Sequence, residues 1–316
     1  MPQTNVFRMM TDRRKFLRQS AKYGAASLLL PAWACGSGNE SAEATSASDG
    51  AEETTPAAGN GTLEAFGIQL YTLRDVLPQD PKGTLAKLAD YGYTQIEGYE
   101  GDQGMFWGME HTEFKDYLDS LGLTMVSSHC NIDENFEEKA RQAAEIGMDY
   151  LICPYIGAQD SKEAWQGVVD KFNDRGRICA ENGIRFAYHN HGYSFENVYG
   201  IVPQDFMMEN TDDTVDYEMD IYWVVTGGAD PIDYLNKYPG KWMLCHVKDR
   251  ETGADPEESE ASVDLGTGSI DFAEVLAVAQ EQGMEYYIVE QERYPSGTPL
   301  EAAEVDAAYL KQLNFG

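Results

Sequence analysis

From residue 63 onward, short apolar runs alternate with longer stretches in which apolar positions recur every three or four residues. The short runs fall at 65–71, 94–97, 123–128, 150–153, 184–188, 215–219, 242–245 and 286–289. Runs of that length, rich in β-branched and aromatic residues, read as buried strands. The stretches between them read as helices. After the third run, Phe136, Ala140, Ala143 and Ala144 share one stripe, with Glu137, Glu138, Lys139 and Arg141 elsewhere. A capping residue followed by proline marks helix starts at Asp80-Pro81, Asp230-Pro231 and Thr298-Pro299, and Asp271 with Glu274 has capping-box spacing. Strict strand–helix alternation implies a parallel sheet. Eight such units over about 250 residues match a (β/α)8 TIM barrel, with an open doubly wound α/β sheet as the competing arrangement.

Residues 1–62 follow neither pattern. Arg13-Arg14-Lys15-Phe16-Leu17 is a twin-arginine run followed by an apolar stretch over 24–34, too short to span a bilayer and suited to a signal peptide. Residues 1–35 therefore read as a twin-arginine export signal, which predicts a periplasmic or envelope-anchored protein. Ala32-Trp33-Ala34 before Cys35 loosely matches a lipoprotein cleavage box, making lipidation of Cys35 one expectation and ordinary cleavage nearby the other. Residues 36–62, made mostly of Gly, Ser, Ala, Thr, Glu and Asn, read as a disordered linker. The barrel is expected over 63–316.

Composition narrows the function. At 42% hydrophobic residues the chain can fill a large core, and its formal charge of −31 argues against nucleic acid as a partner. The same charge leaves a lipid at Cys35 as the expected route to a membrane. Five scattered cysteines form neither a disulfide framework nor a CxxC zinc pattern.

Polar residues collect where the predicted strands end, which in a barrel is the catalytic face. Those positions hold Tyr71, Glu97, His129, Tyr155, His189, Asn190, His191, Asp220, His246, Lys248, Glu290 and Glu292. Four of the five histidines and four carboxylates thus converge on one rim. That set predicts a divalent metal site without thiolates, suited to Mn, Zn, Co, Fe or Mg.

The runs GIQLYTLRD (67–75), GYTQIEG (92–98), YHNHGYSFE (188–196), YEMDIYWVVTGGADP (217–231), HVKDR (246–250), VDLGTGSIDF (263–272) and YYIVEQE (286–292) together resemble the sugar phosphate isomerase/epimerase family of xylose-isomerase-like TIM barrels. The resemblance covers essentially all of 63–316. It implies one divalent ion held by strands five to eight in the order Glu, Asp, His, Glu. The last three match Asp220, His246 and Glu290. The strand-five position holds His189 instead of Glu, with His191 as the alternative ligand there.

That departure bears on mechanism. Family epimerases flank the substrate with two metal-bound carboxylates, one on each face, and pass a proton next to a carbonyl through a metal-stabilised enediolate. With His189 in place of the first carboxylate, Glu290 stays as base, and Lys248, Glu97, His129 or His191 must handle the other proton. The first expectation is an exported, metal-dependent sugar isomerase or epimerase. The alternatives are a keto-sugar lyase or dehydratase on the same barrel, including 3-keto-glycoside elimination, and a non-catalytic carbohydrate-binding barrel. Expected catalytic residues are Glu290, Lys248, Glu97 and His129. Expected sugar-binding residues are His191, Tyr71, Tyr155, Trp223 and Arg250. A substrate phosphate is disfavoured because Lys248, Arg250, Arg74 and Arg293 are the few cations near the rim of a strongly acidic chain.

Overall fold

The computed structural model describes residues 61–316 except 257, 296 and 316. The twin-arginine run, Cys35 and residues 36–60 of the expected linker lie outside the described residues. Eight parallel strands close into a barrel: β1 (Gly67–Gln69), β2 (Gln95–Tyr99), β3 (Thr124–His129), β4 (Tyr150–Cys153), β5 (Arg185–His189), β6 (Val215–Asp220), β7 (Trp242–Val247) and β10 (Tyr286–Val289). Closure joins β1 to β10 through Gly67↔Ile288 and Ile68↔Val289. Gly67 sits where strands crowd, since a Cβ there would meet Ile288 Cδ1 at 2.6 Å and Gln95 Cβ at 3.0 Å. Of the two α/β arrangements that strand–helix alternation allows, the chain adopts the closed one. Between β7 and β10 a short antiparallel pair, β8 (Asp249–Arg250) and β9 (Ser262–Val263), is added.

Helix starts follow their sequence signals. Asp80 accepts a hydrogen bond from Gly83 N–H, Asp230 from Ile232 N–H, and Asp271 from Glu274 N–H. Thr298 and Glu301 form a reciprocal capping box at the start of the Pro299–Leu310 helix. The Phe136–Glu145 helix buries Phe136, Ala140 and Ala143 as its stripe requires, but Lys139 is buried too. Its ammonium reaches Glu100 Oε2 at 2.8 Å and the Asn131 carbonyl at 3.1 Å, a pairing that local periodicity does not reveal.

Several strands run one or two residues beyond their apolar runs. His129, His189, Asp220 and His246 therefore stand on the strands themselves, where parallel neighbours fix their backbones. Asp220 pairs in register with His246, and His189 with Glu218. The first strand ends early instead. The Gln69 side chain accepts from Tyr71 N–H and starts a 3₁₀ turn over Leu70–Leu73, which lifts Tyr71 onto the rim. Cys130, Cys153, Cys179 and Cys245 are unbridged and buried.

Asp306, on the last helix, lies outside the cavity lining and is wholly buried. One carboxylate oxygen accepts Leu265 N–H at 2.8 Å, and the other is buried without a partner. Burial pushes its pKa up to about 8. Unfolded Asp titrates near ~3.9. The folded chain therefore holds an extra proton between those values, and stability falls as pH rises through that window. Asp306→Asn should match the parent near pH 4 and exceed it by about 2–4 kcal/mol near pH 9, less than the full linkage because an ionised buried carboxylate draws in water. Urea melts of both proteins at the two pH values check this; equal differences at both would disprove it.

Candidate active site

At the carboxyl ends of the strands a cavity of about 400 Å³ opens to solvent. It is lined by Tyr71, Tyr99, Glu100, His129, Pro154, Tyr155, His189, His191, Trp223, Glu290 and Glu292. Tyr71 and Tyr155, at 39% and 45% exposure, stand at its mouth. Asp220, His246, Lys248 and Glu97 lie buried around its floor.

Four donors meet at that floor. His189, Asp220, His246 and Glu290 each bring one ligand atom, all within 4.8 Å of one another. The surrounding hydrogen bonds leave one atom of each side chain free for this purpose. His189 Nδ1 lies 3.2 Å from the Pro154 carbonyl and donates to it, so its Nε2 lone pair faces Asp220 Oδ2 at 3.3 Å. Asp220 Oδ1 caps the Ile221–Thr226 helix by accepting Trp223 N–H, and Oδ2 is left over. The Asn190 amide brackets the Asp220 backbone, accepting its N–H and donating to its carbonyl. His246 Nε2 lies 2.6 Å from Glu97 Oε1, which fixes that nitrogen as the donor and turns Nδ1 toward Asp220 and Glu290. A carboxylate behind a histidine in this way sets the tautomer of a metal ligand.

The donor set fits a divalent cation. His246 Nδ1 and Glu290 Oε2 are buried against each other, and neither makes a hydrogen bond of acceptable geometry. Two imidazoles and two carboxylates suit the later transition metals and Mn or Mg. Electrostatics ask for positive charge at the same spot. Burial alone would lower the pKa of His246, yet Glu218, Glu290 and Glu97 hold it well above the ordinary imidazole value. Burial would raise Glu290 and Asp220, yet Lys248, joined by His246 at Glu290, holds both below the usual carboxylate range.

The remaining expected residues divide by position. Lys248 is buried against Glu292, lies 3.8 Å from Asp220 and 3.9 Å from Glu290, and sits over the rings of Tyr222 and Trp223. Its carboxylate neighbours overcome burial and raise its pKa, so it stays charged. Glu97 faces the barrel interior, bound by Gln69 Nε2 at 2.8 Å and Ser127 Oγ at 2.5 Å, its register partners on β1 and β3. His191 lines the cavity beside His189, Tyr155 and Trp223. Burial pushes its pKa well down, which keeps it neutral. Arg250 is set apart from the cavity lining. Its guanidinium donates to the Asp255 carbonyl and lies over Tyr222, because the chain turns into the β8–β9 pair at this point. Arg74 and Arg293 are likewise engaged, with Tyr294 and Glu251 respectively.

The strand-end reading missed three groups. Glu218 is wholly buried two residues before Asp220, and the period of two in a strand puts both on the inner face. Tyr99 relates to Glu97 in the same way. Glu100 lines the cavity with one oxygen held by Lys139 and by Asn131 N–H.

Comparison with known proteins gives a consistent picture. An inosose dehydratase of Clostridium beijerinckii is 27% identical over 168 residues, covering 48% of this chain and 55% of that protein. The chain thus matches about half the length of that relative. An inosose dehydratase of Geobacillus kaustophilus is 23% identical over 272 residues, covering 72% of this chain and 86% of that protein. The structure of a sugar phosphate isomerase/epimerase from Parabacteroides distasonis superposes with a TM-score of 0.65 at 28% identity, covering 85% of this chain and 99% of that one. Residues 85–313 match the family described as xylose isomerase-like TIM barrel, and the chain belongs to that family.

Proposed function

We propose that this barrel is a divalent-metal-dependent enzyme that removes a proton alpha to the carbonyl of an unphosphorylated keto-sugar and then eliminates a leaving group. The observation that carries this reading is the asymmetry of the cavity. Glu290 is a carboxylate at the donor cluster that also lines the cavity, whereas the strand-five position opposite is an imidazole, His189. The other lining carboxylates, Glu100 and Glu292, are each paired with a lysine. One ionised carboxylate and a set of imidazoles suit removal of a proton by one group and protonation of a departing oxygen by another. The dehydratase names of the two curated relatives point the same way.

A divalent ion held by His189, Asp220, His246 and Glu290 would polarise the carbonyl and lower the cost of charge developing on its oxygen. The chain's own groups do the rest. Glu290 Oε1, held ionised by Lys248 3.9 Å away, takes the alpha proton. The C–H electron pair becomes a C=C bond as the β C–O bond breaks, and an imidazole of the cavity wall protonates the leaving oxygen. Tyr71, Tyr155 and Trp223 supply ring faces for the sugar. Arg74, Arg250 and Arg293 already donate to protein groups, which leaves little to hold a phosphate. Export by the twin-arginine route is part of the same proposal and matches an unphosphorylated substrate.

Isomerisation or epimerisation, ranked first from the sequence, shares the first proton transfer and is the competing reading. Incubating Mn-loaded protein with an inosose and with 3-keto-glucosides in deuterated water, followed by NMR, separates them. Loss of water or of the aglycone with an unsaturated ring is the expected result. Deuterium in an intact, rearranged ring would make the protein an isomerase or epimerase. Binding without exchange would leave a carbohydrate-binding barrel.

A further inference from the structure

Beneath the cavity floor lies a second group of four polar side chains, Glu97, His129, Glu218 and His246. His129 Nε2 is 2.9 Å from Glu218 Oε2 and 3.2 Å from Glu97 Oε1. His246 Nε2 is 2.6 Å from Glu97 Oε1 and 3.4 Å from Glu218 Oε2. Two carboxylates thus serve two imidazoles, Glu97 nearer His246 and Glu218 nearer His129. The two rings stack, with centroids 5.4 Å apart and planes 21° apart.

The two imidazoles differ in what they do above the floor. His246 turns its other nitrogen to the donor cluster. His129 lines the cavity, and with Nε2 bound below, its Nδ1 is the ring atom left to meet a ligand. Glu218 has no exposed surface and is not part of the cavity wall, so it reaches a ligand through the imidazoles beside it, of which His129 is the nearer and the one that lines the cavity. The barrel order β10-β1-β2-β3 sets His129 three strands away from Glu290, across the cavity.

Building on the reading of this cavity as a keto-sugar site, we propose that Glu218 is a positioning residue. It holds His129 by Nε2–H so that Nδ1 contacts a substrate oxygen across the cavity from Glu290. His129 is then the catalytic partner that the His189 substitution calls for. An imidazole pinned from below is fixed in tautomer and in ring orientation, the two things a substrate contact needs.

The test uses full-length protein with ¹⁵N-labelled histidine, loaded with Zn²⁺ to stay diamagnetic. In the wild type, His129 should carry a proton on Nε2 in a strong hydrogen bond, leaving Nδ1 to bear the proton that passes to the substrate oxygen, and metal analysis should give about one ion per chain. Glu218→Gln should change the His129 ring signals, leave the metal content unaltered, and lower kcat on an inosose by about 10–100-fold with little change in KM. In a His129→Asn background the same substitution should cost nothing further, because the path through the imidazole is gone.

Equal losses from Glu218→Gln in both backgrounds would overturn the proposal. So would a wild-type His129 with a bare Nε2, or a second ion per chain that Glu218→Gln removes, since the quartet would then be a metal site of its own. The spectrum and the metal count are read on the wild type and need no turnover. Failure of Glu218→Gln to fold, or of the keto-sugar reading, therefore leaves the proposal decidable.

Discussion

Replacing Glu290 by glutamine is expected to lower kcat by about 10²–10⁴-fold, the usual contribution of a general base. The substitution preserves size and a carbonyl oxygen that can face His246 Nδ1, but it removes the negative charge and the basic oxygen near Lys248. The barrel should survive it. Glu290 N–H still donates to the Val247 carbonyl, and Lys248 keeps Glu292 as a partner. Exchange of the substrate's alpha hydrogen with solvent should fall in parallel with turnover, because elimination and isomerisation both begin with that proton. Wild-type exchange in Glu290→Gln would mean that another group is the base, with Lys248 and His191 the nearest candidates.

The donors of the floor were legible because a parallel barrel places strand ends together whatever the rest of the chain does. Reading only the last polar residue of each run recovers His189, Asp220, His246 and Glu290, which the structure brings within 4.8 Å. It also explains what escaped. Glu218 lies one alternation earlier on the same strand face, so counting back by two from Asp220 would have found it. Glu100 and Lys139 are 39 residues apart and meet only through the fold, so no local pattern ties them.

Arg250 shows the opposite failure. In the linear motif it follows Lys248 toward the rim, but the Asp249 carboxylate accepts N–H groups from Arg250, Gly266, Gly268 and Ile270. That carboxylate folds the 264–270 loop around itself, and Arg250 turns away with the hairpin. The glycine at 268 is required there, since a Cβ would lie 2.2 Å from Asp249 Oδ1. The sequence shows this stretch only as the VDLGTGSIDF run, because the turn depends on one buried side chain gathering backbone donors from 17 to 21 residues away. Strand ends thus place chemistry reliably, whereas residues beyond the strands follow loop geometry.

The largest effect on the site itself should come from removing two of its donors together. Wild-type protein is expected to hold about one divalent ion per chain at the His189, Asp220, His246, Glu290 cluster, and Asp220→Ala with His246→Ala should hold close to none. Two remaining donors, His189 on β5 and Glu290 just past β10, do not make a closed site, and the carboxylate charge that favours a cation is halved. Asp220→Ala also removes the cap on Trp223 N–H, which costs about 1 kcal/mol of stability. Asp220→Asn, which can keep the cap, is therefore the companion variant and should lose metal without that cost. Glu97→Gln keeps every donor but loosens the grip on His246 Nε2, so its metal affinity should fall by about 10–100-fold, less than in the double variant. Stability gives a second readout. An ion present at 100 times its Kd stabilises the fold by about 2.7 kcal/mol, so chelation should lower the wild-type melting temperature and leave that of the double variant unmoved. Full metal content in the double variant, with melting that still answers to chelator, would place the ion away from these four residues.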